Sequence, residues 1–448
     1  MDTEARKPAT EDIRGSRRER RRTVIAASAG NFAEWYDWGI YGVVATVIAQ
    51  RFFPHGNAAL AILGAYAVFA IAYLTRPLGT MIFGHIADSL GRKKALSVTI
   101  VFTCAATALI GFIPAYETIG VAAPLLLLLL RLIQSLGTGG EHATAIAFVY
   151  EHGPRGGKAK AVGVLNAMTL VGLLFGTLLA TGISAILPPD AWTSWGWRTL
   201  FWLSLPMGLI GLYVRRHTED GEEFQQLQRT RRPKATLRSS PVLEAIRTSW
   251  RKILLFVAFL GTWSIVSATV TSYLATFLKT NPALSQSAAY GANTTASATA
   301  VLFVLAFAPF VDRLGLRRAT ILACTVVAVV TVPGFILAGN GLAGAYLGAF
   351  LLGATKGMLA VPSLLAVSQI FPARIRVSAG GLSYNIAASA LGGTAPLVAV
   401  GLNEALGSPL AFSSYIALAA VITIAIMLTA GRRWITASAQ YSGDAGLR

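Results

Sequence analysis

Twelve apolar stretches, each long enough to cross a bilayer as a helix, run through this chain and leave room for little else. A hydrocarbon core about 30 Å thick takes about 20 helical residues at about 1.5 Å each. Stretches of that order, bounded by charge, Pro or Gly, fall at 24–50, 59–83, 95–113, 122–150, 159–186, 197–214, 252–278, 288–311, 318–337, 341–369, 377–402 and 409–431. Backbone in lipid must satisfy its own hydrogen bonds, so each stretch reads as a helix. Of the 448 residues 54% are hydrophobic and 13% charged, with a mean hydropathy of +0.59, too little polar material to cover a soluble particle of this size. The expected fold class is an all-α membrane protein with twelve transmembrane helices.

A net charge of +18 would suggest nucleic acid in a soluble protein, but here the basic residues cluster between the apolar runs. With the N-terminus inside, the two tails and the loops joining even to odd spans hold all but six of the 38 Lys and Arg. The six are Arg51, Arg76, Arg131, Arg198, Lys279 and Lys356. This is the positive-inside pattern, and it puts both termini in the cytoplasm of a multi-pass inner-membrane protein. The run Arg17 to Arg22 abuts a span, so its expected partner is the lipid bilayer rather than nucleic acid.

The longest polar stretch, 215–251, divides the spans six and six. The expected organisation is a basic cytoplasmic tail (1–23), a six-helix bundle (24–214), a cytoplasmic linker (215–251), a second six-helix bundle (252–431) and a cytoplasmic tail (432–448). The halves echo each other. Gly84-His85-Ile86-Ala87-Asp88-Ser89-Leu90-Gly91-Arg92-Lys93-Lys94 follows the second span, and Asp312-Arg313-Leu314-Gly315-Leu316-Arg317-Arg318 follows the eighth. Duplication of one bundle into the other predicts two pseudo-symmetric halves.

The first of these loops carries the G-x-x-x-D-x-x-G-R-[KR]-[KR] pattern, and with six-plus-six spans it resembles the major facilitator superfamily. Further stretches are similar to its metabolite:proton symporter family, which includes permeases for 2-oxoglutarate, citrate, shikimate and proline or betaine. They are Asn31-Phe32-Ala33-Glu34-Trp35-Tyr36-Asp37, Arg76-Pro77-Leu78-Gly79, Arg131-Leu132-Ile133-Gln134, Gly139-Gly140-Glu141, Trp195-Gly196-Trp197-Arg198, Phe371-Pro372-Ala373-Arg374-Ile375-Arg376 and Gly381-Leu382-Ser383-Tyr384-Asn385. The chain departs from that family at Ser135, His142, Ala308 and Leu316. The resemblance implies the major facilitator fold, working as a monomer, with the first, fourth, seventh and tenth spans lining a central chamber.

A charge at the centre of a membrane helix costs about 2.5–3.5 kcal/mol on insertion scales, so each one asks for a reason. Glu34, Asp37, Arg131, Glu141 and Lys356 stand out. At about 100° per residue Glu34, Asp37 and Tyr41 share one face of the first span. Arg131, Gln134 and Glu141 share a face of the fourth, but Arg131 and Glu141 lie about 15 Å apart along the axis and find partners elsewhere. Resemblance would put all five charges around one aqueous chamber.

The expected activity is secondary active transport, a proton-coupled uptake of a small organic acid by alternating access. A carboxyl of Glu34, Asp37 or Glu141 would load a proton on one side and release it on the other. Arg131, fork-shaped and permanently charged, would hold a substrate carboxylate or neutralise the deprotonated acid, and Lys356 would take a second anionic group. Tyr41, Gln134, Tyr384 and Asn385 complete the expected substrate site. Asp88, Arg92, Glu151 and Asp312 form, by resemblance, a cytoplasmic gate. A purely structural alternative is that these charges pair, for example Arg131 with Asp37, and lock helices together.

A rival cargo is a zwitterionic osmolyte such as betaine, proline or ectoine, for which the acids and Trp35 and Trp38 offer carboxylate and cation–π partners. Efflux is a further rival, although efflux members carry a Gly-Pro motif in the fifth span and Val171 to Gly182 contains no proline. An enzyme is not expected, nor a cofactor. Cys104 and Cys324 lie alone in apolar segments, and His55, His85, His142, His152 and His217 have no metal-ligand spacing.

Overall fold

The computed structural model describes residues 32, 35–54, 56–76, 92–137, 146, 149–150, 157–217, 241–279, 281–371, 376–408 and 410–431. Helices occupy the place of every expected span. They are α1 (35–43, continuing as Ala45–Phe52), α2 (Ala58–Leu74), α3 (Arg92–Ile110), α4 (Ala122–Gly137), α5 (Lys158–Ile186) and α6 (Ser204–His217, preceded by Arg198–Trp202). In the second half come α7 (Pro241–Ala268, continuing to Lys279), α8 and α9 (286–314 and 316–338), α10 (Gly341–Gln369), α11 (Arg376–Ala387, continuing to Leu406) and α12 (Ala411–Thr429). Leu60, Phe112, Leu125, Leu209, Leu302 and Val329 are more than half exposed, an outward apolar surface that suits lipid rather than water.

Helix ends follow local chemistry. The Asn57 side chain accepts from Ala59 N and Leu60 N at 2.9 and 3.2 Å and caps α2, and Ser285 accepts from Ala288 N at 3.2 Å and caps α8. Arg198 donates to Gly111 O and Ile113 O, both at 2.7 Å, and satisfies carbonyls at the end of α3. Gly315, at φ 76°, lets the chain turn from α8 into α9 where a side chain would be strained.

Two features go beyond what apolar length predicts. The helix of α7 begins at Pro241, inside the expected linker, and kinks at Ser249 (φ −136°). Ile246 and Trp250 are exposed there. Regular helix also gives way to wider π-type turns at Thr269–Tyr273 in α7 and Ala388–Gly392 in α11. Apolar length predicts a span, not an extra residue within a turn.

Buried apolar residues form two cores, one mainly among α1–α4 and α6, the other among α7–α12. The helix α5 joins both, with Val162, Leu170 and Leu173 in the second core and Ala180 in the first. It runs beside α8, and α2 meets α11 in the same way. These two crossings hold the halves together and frame what lies between them.

Candidate functional site

The described residues place the expected polar groups in two clusters rather than one chamber. In the first, one face of α1 presents Asp37, Trp38 and Tyr41 to α2, α3 and α4. Asp37 is 1% exposed and Arg131, on α4, is fully buried. Arg131 Nη1 donates to Gln134 Oε1, Gln134 Nε2 donates to Thr107 Oγ1 at 2.7 Å, and the Thr107 hydroxyl reaches Asp37 Oδ2 at 2.8 Å. The expected alternative of a direct Arg131–Asp37 pair is thus replaced, among the described residues, by a relay through Gln134 and Thr107. Asp37 Oδ1, Arg131 Nε and Arg131 Nη2 have no hydrogen-bond partner there.

Aromatic rings enclose the arginine. Its guanidinium carbon lies 4.0 Å from the centroid of Tyr41, 4.7 Å from Trp38 and 5.4 Å from Phe69. Arg76 reaches Trp38 from elsewhere, at 4.1 Å, and rests on Tyr73 at the same distance. Tyr41 spends its hydroxyl on Ala65 O at 2.7 Å, so within this arrangement it offers Arg131 its ring, not a polar atom.

The second cluster lies between the bundles. Lys356, midway along α10 and 2% exposed, lines a small cavity with Trp35 of α1, Asn166 and Thr169 of α5, and Trp263 and Ser267 of α7. None of Asp37, Tyr41, Arg131 or Gln134 lines it. Tyr384 of α11 packs its ring 5.5 Å from Trp263, behind the cavity wall, and Asn385 follows it on the same helix.

The six basic residues outside the positive-inside pattern now separate. Arg51 donates to Thr193 O at 2.8 Å, Arg198 holds the α3 end, Arg76 and Arg131 rest on aromatic rings, and Lys279 donates to Thr46 Oγ1 at 2.7 Å. Lys356 has neither a hydrogen bond nor an ion pair among the described residues.

The bundle interface is bridged on both sides of that cavity. At the far end of α7, Lys279 meets Thr46, and the Tyr66 hydroxyl lies 2.8 Å from Ser272 O and 2.7 Å from Thr276 Oγ1. At the other side, the Asp312 carboxylate at the end of α8 accepts from Ala159 N and Lys160 N at 2.8 and 3.0 Å, capping α5 from the opposite bundle. Asp312 therefore does connect the halves, as a helix cap. Arg92 opens α3, while Glu34, Asp88, Glu141 and Glu151 lie outside the described residues.

Sequence reasoning missed Thr107, Thr46, Asn166 and Trp263. For Thr107 a signal existed: Thr99, Thr103 and Thr107 stand four residues apart on an otherwise apolar helix, with Thr103 and Thr107 each within 2.9 Å of the carbonyl one turn back.

Among the described residues two helical bundles are bridged on both sides of a small interior cavity that Lys356 lines, an arrangement that suits a membrane carrier. The chain belongs to the major facilitator superfamily: the family model described as Major Facilitator Superfamily matches residues 27–396. Its relatives are transporters. The glycine betaine/proline/ectoine/pipecolic acid transporter OusA of Dickeya dadantii (strain 3937) is 32% identical over 86% of this chain and 78% of its own length. The proline/betaine transporter of Escherichia coli (strain K12) is 31% identical over 95% of this chain and 86% of its own. Among solved structures the D-xylose-proton symporter aligns with a TM-score of 0.72 over 91% of this chain and 96% of that one. A partially occluded inward open form of the xylose transporter XylE from E. coli aligns at 0.69 over 91% and 96%. At 15–16% identity these last two bear on the fold alone. This chain is a multi-pass membrane transporter of a small molecule, with the twelve-helix architecture expected from its apolar spans.

Proposed function

We propose that the protein takes up a zwitterionic osmolyte of the betaine and proline type, coupled to protons, by alternating access around the Lys356 cavity. The observation that carries this reading is the Lys356 ammonium, buried between the bundles without an anion among the described residues. A buried cation without a partner is costly, and a substrate carboxylate would supply the missing charge. The named activities of the relatives point the same way. The organic-acid reading draws less support, because a dicarboxylate asks for a second cation and Arg131 and Arg76 are engaged with rings inside the first bundle.

Proton coupling falls to the Asp37 cluster. A proton on Asp37 would change what Thr107, Gln134 and Arg131 see through the relay, with Glu34 and Glu141 as further carboxyl candidates. Asp312, with Asp88, Arg92 and Glu151, would close the side that charge bias makes cytoplasmic, and the protein would work as a monomer in the inner membrane with both termini inside. The test is uptake of radiolabelled glycine betaine, proline and 2-oxoglutarate into proteoliposomes under an imposed pH gradient. Betaine and proline accumulation that an uncoupler abolishes is expected; gradient-driven accumulation of 2-oxoglutarate without either osmolyte overturns the cargo assignment. The variant Asp37→Asn is expected to lose accumulation while keeping solute exchange across the membrane.

A further inference from the structure

Beside Lys356, the cavity holds groups of complementary chemistry contributed by both bundles. Trp35 and Trp263 wall it with two indoles, one from each half. Asn166, 3% exposed on α5, has a side-chain oxygen without a hydrogen-bond partner among the described residues, and the Trp263 Nε1–H is likewise unpartnered there. Most buried polar groups are paired, so a cation and an amide oxygen that are unpaired among the described residues and line one cavity suit a ligand that completes both. The groups are a cation, two aromatic faces and a neutral acceptor, and no carboxylate lines the cavity among the described residues.

Resting on the osmolyte reading above, we infer that the groups lining this small cavity form, once the bundles part enough to widen it, an oriented clamp for a zwitterion, in which Lys356 holds the carboxylate, Trp35 and Trp263 take the ammonium end, and Asn166 selects between two kinds of ammonium. Indole faces attract a quaternary ammonium by cation–π interaction without requiring a hydrogen on nitrogen. A secondary ammonium such as that of proline carries N–H groups, and a fully alkylated betaine carries none. The Asn166 oxygen can therefore accept from the first and not from the second. A site built to bond a substrate N–H discriminates strongly against losing that bond, whereas apolar walls discriminate weakly. Lys356 serves both solutes equally, because both present the same carboxylate.

The consequence is a division of labour that one assay reads. In proteoliposomes carrying the full chain, KM is measured for glycine betaine and for proline. Asn166→Leu is expected to raise the proline KM about tenfold and to leave the betaine KM within about twofold, the scale of one hydrogen bond to a charged group. Trp263→Leu is expected to weaken both by about tenfold or more, with Trp263→Phe restoring most of the loss because an aromatic face remains. Lys356→Met is expected to abolish uptake of both. The ratio of the two KM values within one variant does not depend on how much protein reaches the membrane, and Asn166→Ala, a smaller change, is expected to shift it in the same direction. If the wild type carries both solutes while both Asn166 variants move the two KM values in parallel, or Lys356→Met leaves them unchanged, the clamp is overturned and osmolyte transport stands. If the wild type carries neither, the functional reading itself falls.

Discussion

At the scale of single residues, Thr107 is the most exposed to test, since its one hydroxyl oxygen accepts from Gln134 and its proton faces Asp37 Oδ2 and Thr103 O. The substitution Thr107→Val keeps the shape and strands two buried polar groups, each at a cost of about 1–3 kcal/mol. The variant is expected to insert normally and to retain betaine exchange, while pH-driven accumulation falls at least about fivefold. Equal losses in exchange and accumulation would mean that Thr107 only holds α3 to α1. The charged members of this cluster, Asp37 and Arg131, were legible in the sequence, as was Lys356 of the second, because each interrupts an apolar helix where charge is expensive. The threonine between them was not, because a hydroxyl in a helix can bond its own preceding carbonyl and needs no partner. Nor was the separation of Arg131 from Lys356, which depends on how each helix is rotated about its axis in the bundle. One helix's periodicity fixes which residues share a face, but not which neighbour that face meets.

At the scale of elements, α1 and α7 meet tightly beside the points where both depart from regular helix. The α1 helix is interrupted at Val44, two residues beyond Gly42, and α7 makes its wider turn over Thr269–Tyr273. A Cβ on Gly42 would lie 2.5 Å from Ser272 Cα, so the two backbones touch at this point. The substitution Gly42→Leu must force α1 from α7, and overpacking of this kind costs about 1–3 kcal/mol. Tyr66 would then lose its reach to Ser272 and Thr276. The expected result is opening of the Lys279 side, read as labelling of Ala275→Cys by a membrane-impermeant maleimide. Ala275 is 1% exposed, and the native Cys104 and Cys324 are buried, so labelling of the parent should be slow and that of the Gly42→Leu variant about tenfold faster. Unchanged labelling would show that the contact does not govern access. Such a device escaped sequence reading although the helices themselves did not. Glycines recur in every apolar span, and only the packed structure tells which one admits a neighbour.

At the scale of the whole molecule, the two bridged ends make opposite demands on the same equilibrium. Asp312 caps α5 across the bundle interface on one side, and Lys279 holds Thr46 on the other, with the Lys356 cavity between. In alternating access the two ends open in turn, so weakening one favours the conformation that opens there. Removing a helix cap costs about 0.5–2 kcal/mol, which shifts a two-state population by roughly 2- to 30-fold. Apparent affinity for a solute presented on one side falls in proportion to the fraction of carriers still able to bind there. With the orientation that charge bias implies, Asp312→Ala is expected to favour the inward-open form and raise the KM for external betaine several-fold. Lys279→Met is expected to favour the outward-open form, raising the KM for internal betaine in exchange measurements and leaving the external KM unchanged or lower. The halves of this prediction check each other, since a general loss of stability would move both variants the same way. External KM values that rise together in Asp312→Ala and Lys279→Met would refute a carrier gated at these two ends. Opposite shifts would tie a carboxylate at the end of α8 and an ammonium at the end of α7 to a single rocking motion about Lys356.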